Sequence, residues 1–250
     1  MCLIVLSIGQ HPEYPFILAA NRDEFHARPT QDAHWWPDKP DVLGGRDLQA
    51  GGTWLAVHRD GRFATVTNFR DARPGSPEYR SRGELVTGFV DGTLSPREYL
   101  ESIDERAYAG FNLIVGTATE VLYLSNREDG SRALGPGTYG LSNALLDGPW
   151  DKVARSKRKL QELLADGDIS EATLIHLMSD RNKGPMAEVE RGRLDVETAH
   201  AITAPFIVTP GYGTRCTSVF LANNAGEWCF TERRFSPDGE VTGESRFSLF

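Results

Sequence analysis

The sequence is poor in the residues that build disulfide scaffolds and metal clusters. Only three of its 250 residues are cysteine: Cys2, Cys216 and Cys229. The number is odd and no two form a CxxC pair, which argues against a disulfide framework or a zinc ribbon. Six histidines are scattered, with no HExxH and no paired Cys/His spacing, so no metal site and no cofactor is expected. A phosphate loop is missing too. GGRDLQAGG is the richest glycine stretch, but it lacks GxxxxGK[ST] spacing and does not open a helix. It reads as a connector, or as a loop letting backbone approach a ligand. Positive charge is in deficit, 27 Lys and Arg against 35 Asp and Glu, for a net −8. Such a surface repels phosphate backbones, so no nucleic-acid partner is expected. Long apolar runs are also lacking. The opening run spans only Cys2 to Leu6, with no basic segment before it. Neither a leader nor a membrane span is predicted, and the expected setting is cytoplasmic, with reduced thiols.

What is present is ordinary globular material. Hydrophobic residues make up 40% and charged residues 25%, enough for a packed core. No repeat, low-complexity tract or linker breaks the chain, so one domain over residues 1–250 is expected.

The pattern opens with a hairpin. Cys2–Ser7 and Phe16–Asn21 are β-rich runs around turn residues 10–15. A second hairpin pairs Thr53–His58 with Arg62–Asn68. Helices are predicted over Arg82–Val90 and Ser95–Arg106, the latter opening with a Ser-Pro-Arg-Glu capping box. Strands follow at Phe111–Thr117, Glu120–Asn126 and Tyr139–Ser142. Trp150–Ala165 is amphipathic through Val153, Leu160 and Leu164. Its Lys152, Arg155, Lys157, Arg158 and Lys159 read as a solvated face. Ser170–Met178 is a shorter helix. Strands return at Phe206–Thr209, Thr214–Leu221 and Glu227–Phe235. Hairpin-linked strands imply antiparallel sheets, and helices in blocks argue against a doubly wound fold.

The chemistry concentrates at the start. If Met1 is removed, Cys2 carries a thiol and a free α-amine on one residue. Such an amine, with a pKa of about 7.7–8.0, is partly neutral at pH 7 and serves as base for the thiol. A cysteine in an apolar strand also fits a small buried hydrophobe. A hydrolytic thiol further needs oxyanion donors and charges that hold the amine and substrate. Candidates stand at strand ends: Asn21 and Asp23 opposite the Cys2 strand, Asn68, Asn143, and Arg215. Each also fits a turn former or a surface charge. Trp54 and Arg22 are candidate substrate contacts. By alternation, Arg22 and Glu24 point away from the face holding Asn21 and Asp23, as ion-pairing or loop-anchoring residues.

The ordered pieces MCLIVLSI, LAANRDEF, GGRDLQAGGTWLAV, TNFR, SRGELV, GFNLIVG, YGLSNALLDGPWDKV and GTRCTSVFL resemble the NRDE family, also named for transport and Golgi organisation protein 2. They cover most of the chain. That family is similar to N-terminal nucleophile hydrolases such as choloylglycine hydrolase and penicillin V acylase. The resemblance implies an α+β fold, a four-layer αββα sandwich of two antiparallel sheets flanked by helices. It matches Cys2 to the nucleophile and Asp23 to the aspartate that orients its amine. Asn68 and Asn143 match the asparagines near the oxyanion, and Arg215 the late arginine. Those acylases carry an arginine three residues before the aspartate, where this chain has Ala20. The implied activity is hydrolysis of a small acyl-type amide or ester. The implied alternative is a non-enzymatic protein that binds haem, acyl-CoA or a lipid metabolite in trafficking.

Overall fold

The computed structural model describes residues 2–70, 78–117, 119–189 and 194–249. Among the described residues, thirteen strands form two antiparallel sheets. The first sheet uses β1 (Cys2–Ile8), β2 (Phe16–Phe25), β10 (Gly137–Leu141), β11 (Tyr212–Ala222), β12 (Trp228–Phe235) and β13 (Val241–Leu249). Its order is β10-β1-β2-β11-β12-β13. The second runs in chain order through β3 (Thr30–Trp36), β4 (Lys39–Asp47), β5 (Leu55–His58), β6 (Phe63–Asn68), β7 (Phe111–Gly116), β8 (Val121–Ser125) and β9 (Arg132–Ala133).

Two helix layers cover the outer faces. On the second sheet lie α1 (Gly83–Val90) and α2 (Pro96–Glu101), whose Leu85, Phe89 and Leu100 join Val66, Leu113 and Leu124. On the first sheet lie α3 (Asp151–Asp166) and α4 (Glu171–Met178), with Val153, Leu160 and Leu174 against Leu3, Val5 and Val219. Between the sheets, Ile4, Leu6 and Phe220 meet Leu55, Phe63 and Ile114. A strand covered on both faces must be apolar on both, so β1 reads as an unbroken run instead of alternating. A fifth helix, α5 (Val196–Ala201), precedes β11. No described helix is long and apolar enough to cross a membrane.

Local chemistry sets the helix ends. The Ser95–Glu98 capping box forms with Pro96 inside it, and Ser170 caps α4 through Thr173. Gly167 ends α3 at φ 70°, a conformation glycine adopts without Cβ strain.

Several expectations shift. The Ser95–Arg106 helix stops at Glu101, and a 3-10 turn forms over Glu105–Ala107. Phe206–Thr209 gives only an isolated bridge, Val208 to Gly213. Strands β3, β4, β9 and β13 are additional to the expected ones: β3, β9 and β13 are sheet edges whose charged and exposed positions hide their pattern, and glycine-rich β4 reads as loop. GGRDLQAGG is partly strand: Gly44 and Gly45 belong to β4. A side chain on Gly45 would strike the Trp54 indole, at 2.3 Å.

Candidate active site

Four residues form a row across the first sheet. Cys2 pairs with Arg22, Arg22 with Cys216, and Cys216 with Arg234. Directly opposed residues project from the same face. Ile4 and Ala20, two residues along from Cys2 and Arg22, belong to the core between the sheets, so the row faces inward. This reverses the expected phase of β2. Asn21, opposite Leu3, faces the helix layer, and Arg22 stands across from the thiol.

Arg22 makes the expected ion pairing, with Asp47, but from a buried position. It is 4% exposed, with its guanidinium 4.1 Å from the Trp54 ring centroid. Its Nη1 donates to Thr30 Oγ1 at 3.1 Å, and Nη2 lies 3.9 Å from Asp47 Oδ2. Asp47 also accepts from Arg28 Nε at 2.7 Å and from the Gln49 and Ala50 amides. The sequence reading did not single out Asp47. The Asp-x-x-Ala turn it builds was the available signal.

Cys2, Arg22, Asp23, Trp54 and Asn68 all line one cavity of about 420 Å³. Its far wall brings Gly52 against Gly83. A Cβ on Gly52 would fall 2.6 Å from the Gly83 carbonyl carbon, so only glycine permits this approach. The contact brings the start of α1, which has no side-chain cap, to the cavity. Its Glu84 and Leu85 amides already donate to the Ser81 and Arg82 carbonyls, so the helix start offers the cavity its positive field.

Burial pushes the Cys2 thiol above its ordinary pKa, and the Asp23 charge acts the same way. Arg22 and the backbone N–H of Asp23 pull it down. The thiol therefore needs a base to react near neutrality. The expected base is the α-amine that Cys2 itself carries after loss of Met1, and Met1 lies outside the described residues.

Asp23 turns its carboxylate toward β11. Oδ1 accepts from Thr214 Oγ1 at 2.7 Å, and its carbonyl accepts from Tyr212 Oη at 2.8 Å. Burial raises its pKa, while nearby cations including Lys152 oppose the shift. Lys152 itself corrects the solvated-face reading, because it is only 2% exposed. Its Nζ donates to the Ile202 carbonyl at 3.2 Å and sits 5.5 Å from the Trp150 ring. Burial lowers its pKa, and the charge of Asp23 holds it up. Lys152 and Ser156 are both buried and stand one helical turn apart, so the apolar stripe is wider than Val153 and Leu160 marked. The rest of that series does pair at or near the surface, as Arg155 and Lys159 do with Asp180.

Three expected residues lie elsewhere. Asn21 is fully committed: Nδ2 donates to the Met178 and Pro205 carbonyls at 2.8 and 2.9 Å, and Oδ1 accepts from Thr217 at 2.6 Å. It clamps the helix layer and does not touch the cavity. Asn143 braces: its Nδ2 donates to the Asn68 carbonyl at 2.7 Å. Beside it, Ser142 Oγ donates to the Cys2 carbonyl at 2.7 Å, and Thr67 Oγ1 donates to the Ser142 carbonyl. Arg215 is the extra residue of a bulge between Thr214 and Cys216. Its Nη1 donates to the Phe25 and Arg28 carbonyls, and it lines a second chamber, not the Cys2 cavity.

A family model described as "Transport and Golgi organisation 2" matches residues 1–237. The chain belongs to the transport and Golgi organisation 2 family. The human Transport and Golgi organization protein 2 homolog is 34% identical, over 93% of this chain and 92% of its own. The Drosophila melanogaster protein is 30% identical, over 96% and 95%. Among solved structures, a mutant conjugated bile acid hydrolase from Clostridium perfringens aligns with TM-score 0.58 at 8% identity, covering 100% of this chain and 92% of that one. A Caenorhabditis elegans ortholog of N-acylethanolamine-hydrolyzing acid amidase aligns with TM-score 0.51 at 9% identity, covering 88% and 92%. At such identity the likeness concerns the fold, the αββα sandwich of N-terminal nucleophile hydrolases. In this transport and Golgi organisation 2 chain the Asn-Arg-Asp-Glu tetrapeptide is divided between two faces. Asn21 holds the helix layer, and Arg22, Asp23 and Glu24 line the cavity with Cys2.

Proposed function

We propose that the protein is a cysteine hydrolase of a small acyl amide or ester, with Cys2 as nucleophile. The observation that carries this is the placement of Cys2: a thiol at the mouth of the first strand, on the wall of a polar cavity, with a cation across from it. The names of two structural neighbours, an amidase and a bile acid hydrolase, support the same class.

In this reading Cys2 Sγ attacks the substrate carbonyl as its proton passes to the α-amine exposed by loss of Met1. Asp23 orients that amine. The oxyanion takes hydrogen bonds from Asn68 and from backbone N–H groups at the cavity wall. Collapse expels the amine or alcohol, which takes the proton back, and leaves an acyl thioester on Cys2. Water attacks the thioester, its proton returns to the thiolate, and the acid is released. Asn143 acts through its bond to the Asn68 carbonyl and does not meet substrate.

The test is mass spectrometry of the purified protein incubated with p-nitrophenyl butyrate. A chain beginning at Cys2 that gains one butyryl group, lost in Cys2→Ala, supports the reading. A chain that retains Met1 and takes no adduct at Cys2 overturns it.

One observation favours a second reading, a non-enzymatic carrier of haem, acyl-CoA or a lipid metabolite. A mostly apolar groove of about 600 Å³ adjoins the Cys2 cavity through Glu24 and Asn68 and presents Phe25, 62% exposed. Titration with haem and acyl-CoA separates the two. Binding retained by Cys2→Ala, with no turnover by the unmodified protein, favours the carrier.

A further inference from the structure

Beyond the Trp54–Arg22 wall lies a second chamber of about 350 Å³. Arg22 and Trp54 line both chambers. Two more arginines enter from β11 and β12. Arg215 reaches the chamber because the bulge adds a residue and re-aims its side chain. Its Nη1 is held by two backbone carbonyls, leaving Nε and Nη2 without a hydrogen bond among the described residues. Arg234 pairs with the exposed carboxylate of Asp32 at 3.1 Å and donates to Ser245.

The back of the chamber holds an unusual acid. Glu232 is 1% exposed. Its Oε1 accepts the Ala33 amide at 2.8 Å, and its buried Oε2 meets no hydrogen-bonding partner among the described residues. An orphan oxygen beside a guanidinium-lined space marks a site with unfilled hydrogen-bonding capacity. Burial drives Glu232 toward its neutral form, with the Cys216 thiol beside it. A neutral carboxyl offers an O–H donor to an incoming oxyanion.

We propose that this chamber binds an anionic group, a carboxylate or a phosphate, carried by the molecule whose carbonyl lies at Cys2. Arg215 grips the anion by a forked hydrogen bond from Nε and Nη2, Arg234 adds its charge and an Nη2 donor, Arg22 forms the shared wall, and Glu232 closes the back. The Cys2–Arg22–Cys216–Arg234 row spans three strand spacings, so the anion sits roughly 14 Å from the thiol. The fitting substrate is an extended acyl compound with an acid group at the end remote from the scissile bond. The role as a substrate site rests on the hydrolase reading. The binding of the anion does not.

The experiment is titration of tryptophan fluorescence with inorganic phosphate and, separately, with succinate, against chloride at matched ionic strength. Saturable quenching by either one supports the site, and whichever saturates at lower concentration identifies the group. Arg215→Gln and Arg234→Gln should each weaken binding at least tenfold, and the Lys variants by less, since they keep charge but lose the guanidinium donors. Cys2→Ala should retain binding. Quenching that follows chloride, or that survives both Gln substitutions in proteins of unchanged circular dichroism, overturns the proposal. A parallel assay compares acylation of Cys2 by p-nitrophenyl dodecanoate and by the mono-p-nitrophenyl ester of dodecanedioic acid, whose extended chain sets its carboxylate roughly 14 Å from the scissile carbonyl, the span of three strand spacings. Faster acylation by the anionic ester, abolished in Arg215→Gln, supports the substrate role, and equal rates overturn it. If neither ester labels Cys2 while phosphate or succinate binds, the hydrolase reading fails and the anion site stands.

Discussion

The guanidinium of Arg22 stacks 4.1 Å from the Trp54 ring, at the ladder position directly across from Cys2. A cation is thereby held next to a half-buried thiol by a face of indole, a threonine hydroxyl and the carboxylate of Asp47.

Replacing that cation should be felt by the thiol. In Arg22→Leu the Cys2 pKa rises further, because a side-chain cation that lowers it is gone. Iodoacetamide labelling at pH 8 should slow by about tenfold, the effect of one pKa unit, and its pH profile should move upward. Thermal unfolding should show a loss of about 2 kcal/mol, the scale of a desolvated cation–π contact. An unchanged pH profile would mean that the charge of Arg22 does not reach Cys2.

The three thiols should separate cleanly in a labelling time course. Cys2 faces a cavity, Cys216 is buried with its pKa pushed well up by burial and by Glu232, and burial pushes Cys229 up to about 11. Peptide mass mapping should find Cys2 alkylated first, and Cys216 only after denaturation. No Cys2–Cys216 disulfide should form under mild oxidation. Their Cα atoms are roughly 10 Å apart, two strand spacings, beyond the reach of a disulfide.

Asn21 should behave as a structural residue. Asn21→Ala leaves the carbonyls of Met178 and Pro205 and the hydroxyl of Thr217 without their partner. Urea unfolding should show a loss of about 3 kcal/mol, since several buried polar groups go unsatisfied at once. Folded protein should still label at Cys2 at an unchanged rate. A normal stability curve with lost labelling would place Asn21 in the chemistry instead.

Glu232 sets a pH dependence of known sign. Its folded pKa is raised by burial, so its contribution is whole below the ordinary value of about 4.3 and lost as pH rises through the folded value. Glu232→Gln keeps an acceptor for the Ala33 amide and cannot ionise. The variant should therefore gain on the unmodified protein between pH 4 and pH 8, by about 1 to 3 kcal/mol at the upper end. Parallel stability–pH curves would show that the carboxyl ionises without cost.

Much of the site was legible in residue order. The apolar run after Cys2, the turn residues before Phe16 and the capping boxes at Ser95 and Ser170 each define their element through local chemistry, and each forms. Cys2, Asp23, Asn68, Arg22 and Trp54 do share one cavity. What failed was the phase of β2. Alternation divides Asn21 and Asp23 from Arg22 and Glu24, but it does not say which pair faces the thiol.

The sequence by itself determined the antiparallel pairing and the thiol through local periodicity and position, and the family and its four-layer sandwich through motifs in fixed order. Only the tertiary structure decided that Arg22 stands across from Cys2, that Lys152 is buried, and that a bulge turns Arg215 into a second chamber. Those outcomes depend on hydrogen-bond register between strands far apart in the chain and on which helix covers which face. One extra residue at Thr214–Cys216 is enough to redirect a side chain, and no local pattern around it records the change.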